Sequence, residues 1–255
     1  MLLDHEITGS GPGVVLLHAG VADRRMWEHQ RDVLAAAGYR VLCPDLRGYG
    51  GTPAATTPYD EAADVRDLVD RLGLGRFALV GASAGGSVAL QLAARWPHRV
   101  LALVLLCPAA PGLEPSAELR GRWRAEGELL DDGDVAGAVA LNVSSWLGPE
   151  ADDAARTLVT EMQQRAFELQ LVEGAVEADD ADVDLADVTA PTLAVSGDLD
   201  LSDFAGVADR VAAAVPGAER VRLAGVGHLP SLERPDATAS LVRDFLLRHV
   251  PTGGS

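Results

Sequence analysis

With 255 residues, 48% of them hydrophobic, the chain is long enough to bury a large core, and no apolar run reaches the ~18 residues that span a bilayer. A net charge of −17 disfavours nucleic acid and anionic membrane surfaces as partners, since both are held through an excess of Lys and Arg. The two cysteines, Cys43 and Cys107, each close an apolar run and read as small buried hydrophobes; a disulfide framework or metal site needs more ligands at tighter spacing.

Met1 to Glu6 carry neither a basic start nor a long apolar stretch, so no secretory signal and a cytoplasmic location are expected. Glu6-Ile7 reads as a strand end before the turn Thr8-Gly9-Ser10-Gly11-Pro12-Gly13, and residues 14–17 as a buried strand running into His18-Ala19-Gly20. A helix is expected over 25–36, a strand over 39–43 leading into Pro44-Asp45-Leu46-Arg47-Gly48-Tyr49-Gly50, and a helix over 59–72. From Phe77 an apolar run without alternation, the mark of a strand buried on both faces, passes through Gly81-Ala82-Ser83-Ala84-Gly85 into an Ala/Leu-rich helix that stops at Trp96-Pro97. Residues 100–106 are another continuous apolar strand. Strand and helix alternate, which predicts an α/β fold: a mostly parallel sheet with helices on both faces.

The rhythm changes after Pro108. Ser116 caps an expected helix to Leu130, Asp134 another to Trp146, and a third covers 153–172, with no buried strand among them. An acidic stretch over 177–187 returns the chain to a strand over 192–196, a helix over 204–215, a last strand over 220–223 and a closing helix over 235–249. The expected organisation is a core of 1–108 and 191–250, a helical cap inserted at 109–190, and a disordered tail at 251–255.

The turn at Ser83 carries the chemistry. A serine on so sharp a strand-to-helix bend holds strained backbone angles, and the positions two before and two after must be nearly free of side chain; Gly81 and Gly85 meet that demand. A serine hydroxyl is a poor nucleophile until a base takes its proton, and the base needs an acid to fix its tautomer. Two later strands end in Gly197-Asp198-Leu199-Asp200 and in Ala224-Gly225-Val226-Gly227-His228, supplying both.

Together with Leu16-Leu17-His18-Ala19-Gly20, Asp45-Leu46-Arg47-Gly48-Tyr49-Gly50 and His228-Leu229-Pro230-Ser231-Leu232-Glu233-Arg234-Pro235, these segments resemble the α/β-hydrolase superfamily over nearly the whole chain. The resemblance implies a catalytic triad of Ser83, His228 and an acid. That acid maps onto Asp200, with Asp198 and Asp203 near enough to compete. It also implies an oxyanion hole of two backbone N–H groups, from Ala84 and from Gly20, with Ala19 as the alternative to Gly20. Relatives commonly open with a two-stranded hairpin, but few residues precede Thr8, so either the first strand is absent or the start lies elsewhere.

The implied activity is that of a serine hydrolase cleaving a small, largely apolar carboxylic ester, thioester or lactone through an acyl-enzyme, with a small-molecule substrate and neither metal nor organic cofactor. In this family the same triad also serves C–C bond hydrolases and cofactor-free haloperoxidases or perhydrolases, and the same fold serves ligand receptors. Serine at position 83 excludes the haloalkane dehalogenase and epoxide hydrolase branches, whose alkyl-enzyme ester needs a carboxylate there. Trp123, Trp146, Met162, Phe167, Leu169 and Leu171 of the insertion are shared between an apolar pocket wall and cap packing. Arg120, Arg122 and Arg124 are either a solvated surface or a receptor for a substrate anion.

Overall fold

The computed structural model describes residues 2–179 and 181–253. Its sheet has seven strands in the order β1-β3-β2-β4-β5-β6-β7: β1 (His5–Thr8), β2 (Gly13–Leu17), β3 (Arg40–Pro44), β4 (Phe77–Ala82), β5 (Val100–Leu106), β6 (Thr192–Gly197) and β7 (Glu219–Leu223). β1 runs antiparallel to β3 and every other neighbouring pair is parallel. The first strand is therefore present as one short edge strand, His5 to Thr8, paired with β3 rather than as half of an opening hairpin.

The apolar runs of β2, β4 and β5 lack alternation because both faces are covered. Val14, Leu16, Ala78, Val80, Ala102 and Val104 enter one core, with Leu34 of α1 (Glu28–Ala36) and Val242, Phe245 and Leu246 of α9 (Pro235–His249). Val15, Leu17, Leu79, Leu103 and Leu105 enter the other, with Val65 and Leu68 of α2 (Glu61–Arg71), Val88 and Leu92 of α3 (Ala84–Arg95), and Val207 and Val211 of α7 (Ser202–Ala214). Period-two geometry sends successive residues to opposite sides, so each strand feeds both cores, at about 2 kcal/mol for each fully buried Leu or Val. β7 is the other edge and is guarded by charge, Arg220 pairing with Asp209 and Arg248 with Glu219.

Between β5 and β6 lie α4 (Ala117–Asp131), α5 (Val135–Trp146) and α6 (Asp153–Gln170), capped by the side chains of Ser116, Asp134 and Asp152. Asp60 caps α2, so that helix starts at Glu61 and leaves Tyr59 outside it. Part of the expected disordered tail, Gly254 and Ser255, lies outside the described residues, as do Met1 and Asp180 of the acidic stretch; residues 251–253 follow α9 without regular structure. Among the described residues, no helix is long and apolar enough to cross a membrane.

The join between β4 and α3 leaves no room for side chains at its glycines. A Cβ on Gly81 would stand 2.4 Å from the Gly85 carbonyl oxygen, and one on Gly85 would stand 2.4 and 2.5 Å from the carbonyl oxygens of Leu17 and His18. These obstacles are backbone, so they cannot rotate aside. Gly85→Ala is expected to lower the unfolding free energy by about 3 kcal/mol, read as a lower urea midpoint at unchanged m-value.

Candidate active site

Ser83 sits at φ 49°, ψ −117°, a left-handed position that for a residue with a Cβ costs about 1–3 kcal/mol. Its backbone is held on both sides: its N–H donates to Leu106 O at 3.1 Å, and its carbonyl accepts from Gly86, Ser87 and Ala109 at 2.8, 3.3 and 2.9 Å. The surrounding ladder thus over-determines the strained angle.

His228 leaves the β7 edge on a loop and lies buried, 3% exposed, with its Nδ1 2.9 Å from Asp200 Oδ2. The three acids that compete in the sequence are separated here. Asp198 Oδ1 accepts from Gly225 N at 2.7 Å and shapes the neighbouring loop, while Asp203 Oδ1 accepts from Ser116 N at 2.6 Å and ties the start of α4 to α7. Asp200 alone of the three is bonded to His228. The imidazole is clamped between rings, Phe204 at 4.1 Å and Trp146 of α5 at 4.7 Å between centroids, and the backbone N–H of His228 donates to Trp146 O at 3.2 Å.

Ser83 and His228 line one cavity of about 950 Å³ with Gly20 and Ala84. No hydrogen bond joins Ser83 to His228, whose Nδ1 is taken by Asp200. Ala19 N–H is engaged by Met26 Sδ at 3.3 Å, whereas Gly20 faces Ala84 closely enough that an added Cβ would lie 3.5 Å from the Ala84 Cβ. Behind this loop His18 is fully buried, its Nδ1 on Ala19 O at 2.9 Å and its Nε2 accepting from Leu46 N at 3.0 Å. That pattern fixes the neutral Nδ1–H tautomer, and burial pushes the imidazole below its ordinary value.

Several site residues carry no legible signal in the sequence. Glu233, buried in the short helix α8 (Pro230–Glu233), accepts from the backbone N–H groups of Gly227, Leu229 and Gly148 at 2.8, 3.0 and 3.0 Å, so one carboxylate holds both flanks of His228 and the exit of α5. Its only sequence cue is its spacing after His228. Cys107 stands at φ 46° at the end of β5, its thiol 3.7 Å from Gly227 O and its sulfur within 4.8 Å of ligand atoms of Asp200 and His228. Burial holds the thiol well above its usual range, so it stays protonated; with Asp200 already on the imidazole, this trio is a hydrogen-bonded cluster rather than a ready metal seat. Cys43 is likewise pushed up to about 12 by burial.

The cavity wall is mixed rather than uniformly apolar. Trp123, Trp146, Phe167 and Leu171 line it as expected, but Met162 is buried with its sulfur accepting from Asp23 N at 3.3 Å, and Leu169 does not reach the cavity. Arg120, Arg122 and Arg124 do not line it either; Arg122 donates to Ser145 O at 2.6 Å and pairs with Glu118.

A family model described as alpha/beta hydrolase fold matches residues 12–235. Over 142 residues the chain is 41% identical to epoxide hydrolase 3 of Siraitia grosvenorii, a match covering 49% of this chain and 45% of that relative, so the chain spans less than half its length. Among solved structures it is similar to a thermophilic esterase from Thermogutta terrifontis, at 26% identity, TM-score 0.79, and coverage of 97% of this chain and 94% of that one. It is also similar to the enol-lactonase from Burkholderia xenovorans LB400, at 25% identity, TM-score 0.79 and 96% coverage of each chain.

The lowered His18 value sets a pH dependence. The folded state binds its proton less readily than the unfolded chain, so this contribution is complete above 6.5 and is lost as pH falls from there through the folded value. The depressed carboxylates Asp4, Asp23 and Asp60 act only below about 3.8. Urea midpoints measured from neutral pH down to about 5 are expected to fall for the wild type and to fall less for His18→Gln, which cannot titrate.

Proposed function

Because the chain belongs to the α/β-hydrolase fold family, we propose that it is a serine hydrolase cleaving a carboxylic ester, thioester or lactone through an acyl-enzyme, with Ser83 as nucleophile, His228 as base and Asp200 as the group that orients the base. The observation that carries this reading is the 2.9 Å bond between Asp200 and His228 Nδ1, set on the wall of the cavity that also holds the strained Ser83. With Nδ1 directed to the carboxylate, Nε2 is left as the proton acceptor.

In the proposed reaction Ser83 Oγ bonds to the substrate carbonyl carbon while its proton passes to His228 Nε2. The carbonyl oxygen takes the negative charge and accepts hydrogen bonds from the Gly20 and Ala84 N–H groups. Collapse breaks the bond to the leaving oxygen or sulfur, which takes the proton from the imidazolium. Water, activated by the same imidazole, then attacks the acyl-enzyme and releases the acid and free Ser83. In a lactone the leaving oxygen stays tethered, and the product is a hydroxy acid. Ala84, Ala109, Phe204 and Trp146 form an apolar surround near the reacting centre, which strengthens each of these charge interactions. The esterase and enol-lactonase similarities, spanning nearly the whole chain, support this class. Epoxide opening through an alkyl-enzyme ester needs a carboxylate where Ser83 stands.

Two mutations test the assignment. Ser83→Ala is expected to abolish fluorophosphonate labelling and lower p-nitrophenyl ester hydrolysis by about three orders of magnitude or more while leaving circular dichroism unchanged; retention of a tenth of the rate would sink the proposal. Asp200→Asn is expected to lower kcat about a thousandfold, since an amide favours the wrong imidazole tautomer, and far more than Asp198→Asn or Asp203→Asn. A comparable loss at Asp198 would transfer the role.

A further inference from the structure

Two polar features of the cavity are left over by the ester-cleaving chemistry. Glu126 of α4 lines it half-buried, hydrogen-bonded to Asn142, and takes part in no ion pair among the described residues; burial raises its carboxyl above the usual range. Asn142 Oδ1 accepts from Trp146 Nε1 at 3.1 Å, and the Trp146 ring rests on His228. Glu126 is thus placed two side chains from the imidazole, along the wall formed by α4 and α5. The second feature is Gln163 of α6, which also lines the cavity, is 2% exposed, and has a carbonyl oxygen with no hydrogen-bond partner among the described residues. A buried amide oxygen without a donor costs about 1–3 kcal/mol, and its two ends exchange by a half-turn of the amide, so the cavity can be offered either.

The charge of the wall points the same way. Glu61, Glu177 and Asp179 join Glu126 in lining it, against one guanidinium, Arg47, which is bonded to Asp64 at 2.5 and 2.8 Å and lies over the Tyr59 ring. Among the described residues these carboxylates do not gather closely enough to hold a metal ion, so the cation they suit is organic and carried by the substrate.

We infer that the cap end of the cavity is a subsite for a protonated amine borne by the substrate, with Glu126 as its counter-ion and the Gln163 carbonyl as acceptor for one of its N–H groups. An ammonium group has three donors and a full charge, which match a carboxylate outside any ion pair and a carbonyl without a donor on the wall of one cavity better than a neutral chain end does. The inference rests on the ester-hydrolase reading of the same cavity and narrows it to amine-bearing esters, thioesters or lactones; acyl groups ending in a carboxylate are disfavoured.

The test compares p-nitrophenyl hexanoate with its ω-amino derivative at neutral pH and low salt. In the wild type the amino ester is expected to have the higher kcat/KM by about tenfold. That ratio should fall toward unity in Glu126→Gln and at high salt, and fall severalfold in Gln163→Leu. Equal rates in the wild type, or a ratio unchanged in both variants, would overturn the inference. A binding arm separates it from the catalytic reading: n-hexylammonium is expected to raise the Tm of Ser83→Ala and to raise that of the Ser83→Ala/Glu126→Gln double variant less, with hexanoate giving no rise. If neither ester is hydrolysed, the esterase reading fails and this arm alone decides; no shift with hexylammonium, or the same shift in both proteins, overturns the amine subsite.

Discussion

The left-handed backbone of Ser83 is tolerable only because everything around it is fixed. Its N–H and carbonyl are bonded to β5, to the first turn of α3 and to Ala109, and the helix that follows is seated directly on the last carbonyls of β2. Relaxing the serine to ordinary angles would break those bonds together, so the strain is retained by a sheet whose two buried faces supply the stability it consumes. The same constraint brings the loop after β2 against the start of α3, which is why Gly20 and Ala84 meet and why residue 85 has no room for a side chain.

A second set of contacts joins the helical insertion to the histidine loop. Glu233 gathers three backbone N–H groups, two flanking His228 and one from Gly148 just past α5. Trp146 adds its carbonyl to His228 N–H and its ring to the imidazole face. The imidazole is therefore positioned by the insertion as well as by the core. Asp203 holds the other end of the insertion through Ser116, so an acid that competes with Asp200 on paper serves as an anchor in the fold.

Electrostatically the cavity is divided. Around Ser83 and His228 the wall holds alanine and aromatic rings, which suits a carbonyl carbon and a transient oxyanion; along α4 and α6 the carboxylate of Glu126 and the amides of Gln163 and Gln170 stand among Trp123, Leu130 and Phe167. The overall charge of −17 makes the second half continuous with the field of the whole molecule, which repels acidic small molecules and draws cationic ones.

The sequence by itself determined the alternation of strands and helices, the helical insertion and the elbow, because each rests on local rules: unbroken apolar runs for strands buried on both faces, side-chain caps for α4 to α6, and glycines two residues either side of Ser83. It placed Asp198, Asp200 and Asp203 within six residues and put Asp200 first only through the family resemblance, since a one-residue step on a loop redirects a side chain entirely. Only the tertiary structure sent Asp200 to His228, Asp198 to the Gly225 turn and Asp203 to Ser116. The sequence read Glu6-Ile7 as a strand end, but only the structure showed its place as the edge strand His5–Thr8, whose pairing depends on β3 more than thirty residues away. Glu126, Gln163 and the place of Cys107 beside His228 were illegible for the same reason. Nothing in their own neighbourhoods distinguishes them from ordinary helix or strand-end residues, and what sets each apart is a cavity or a cluster assembled from distant parts of the chain.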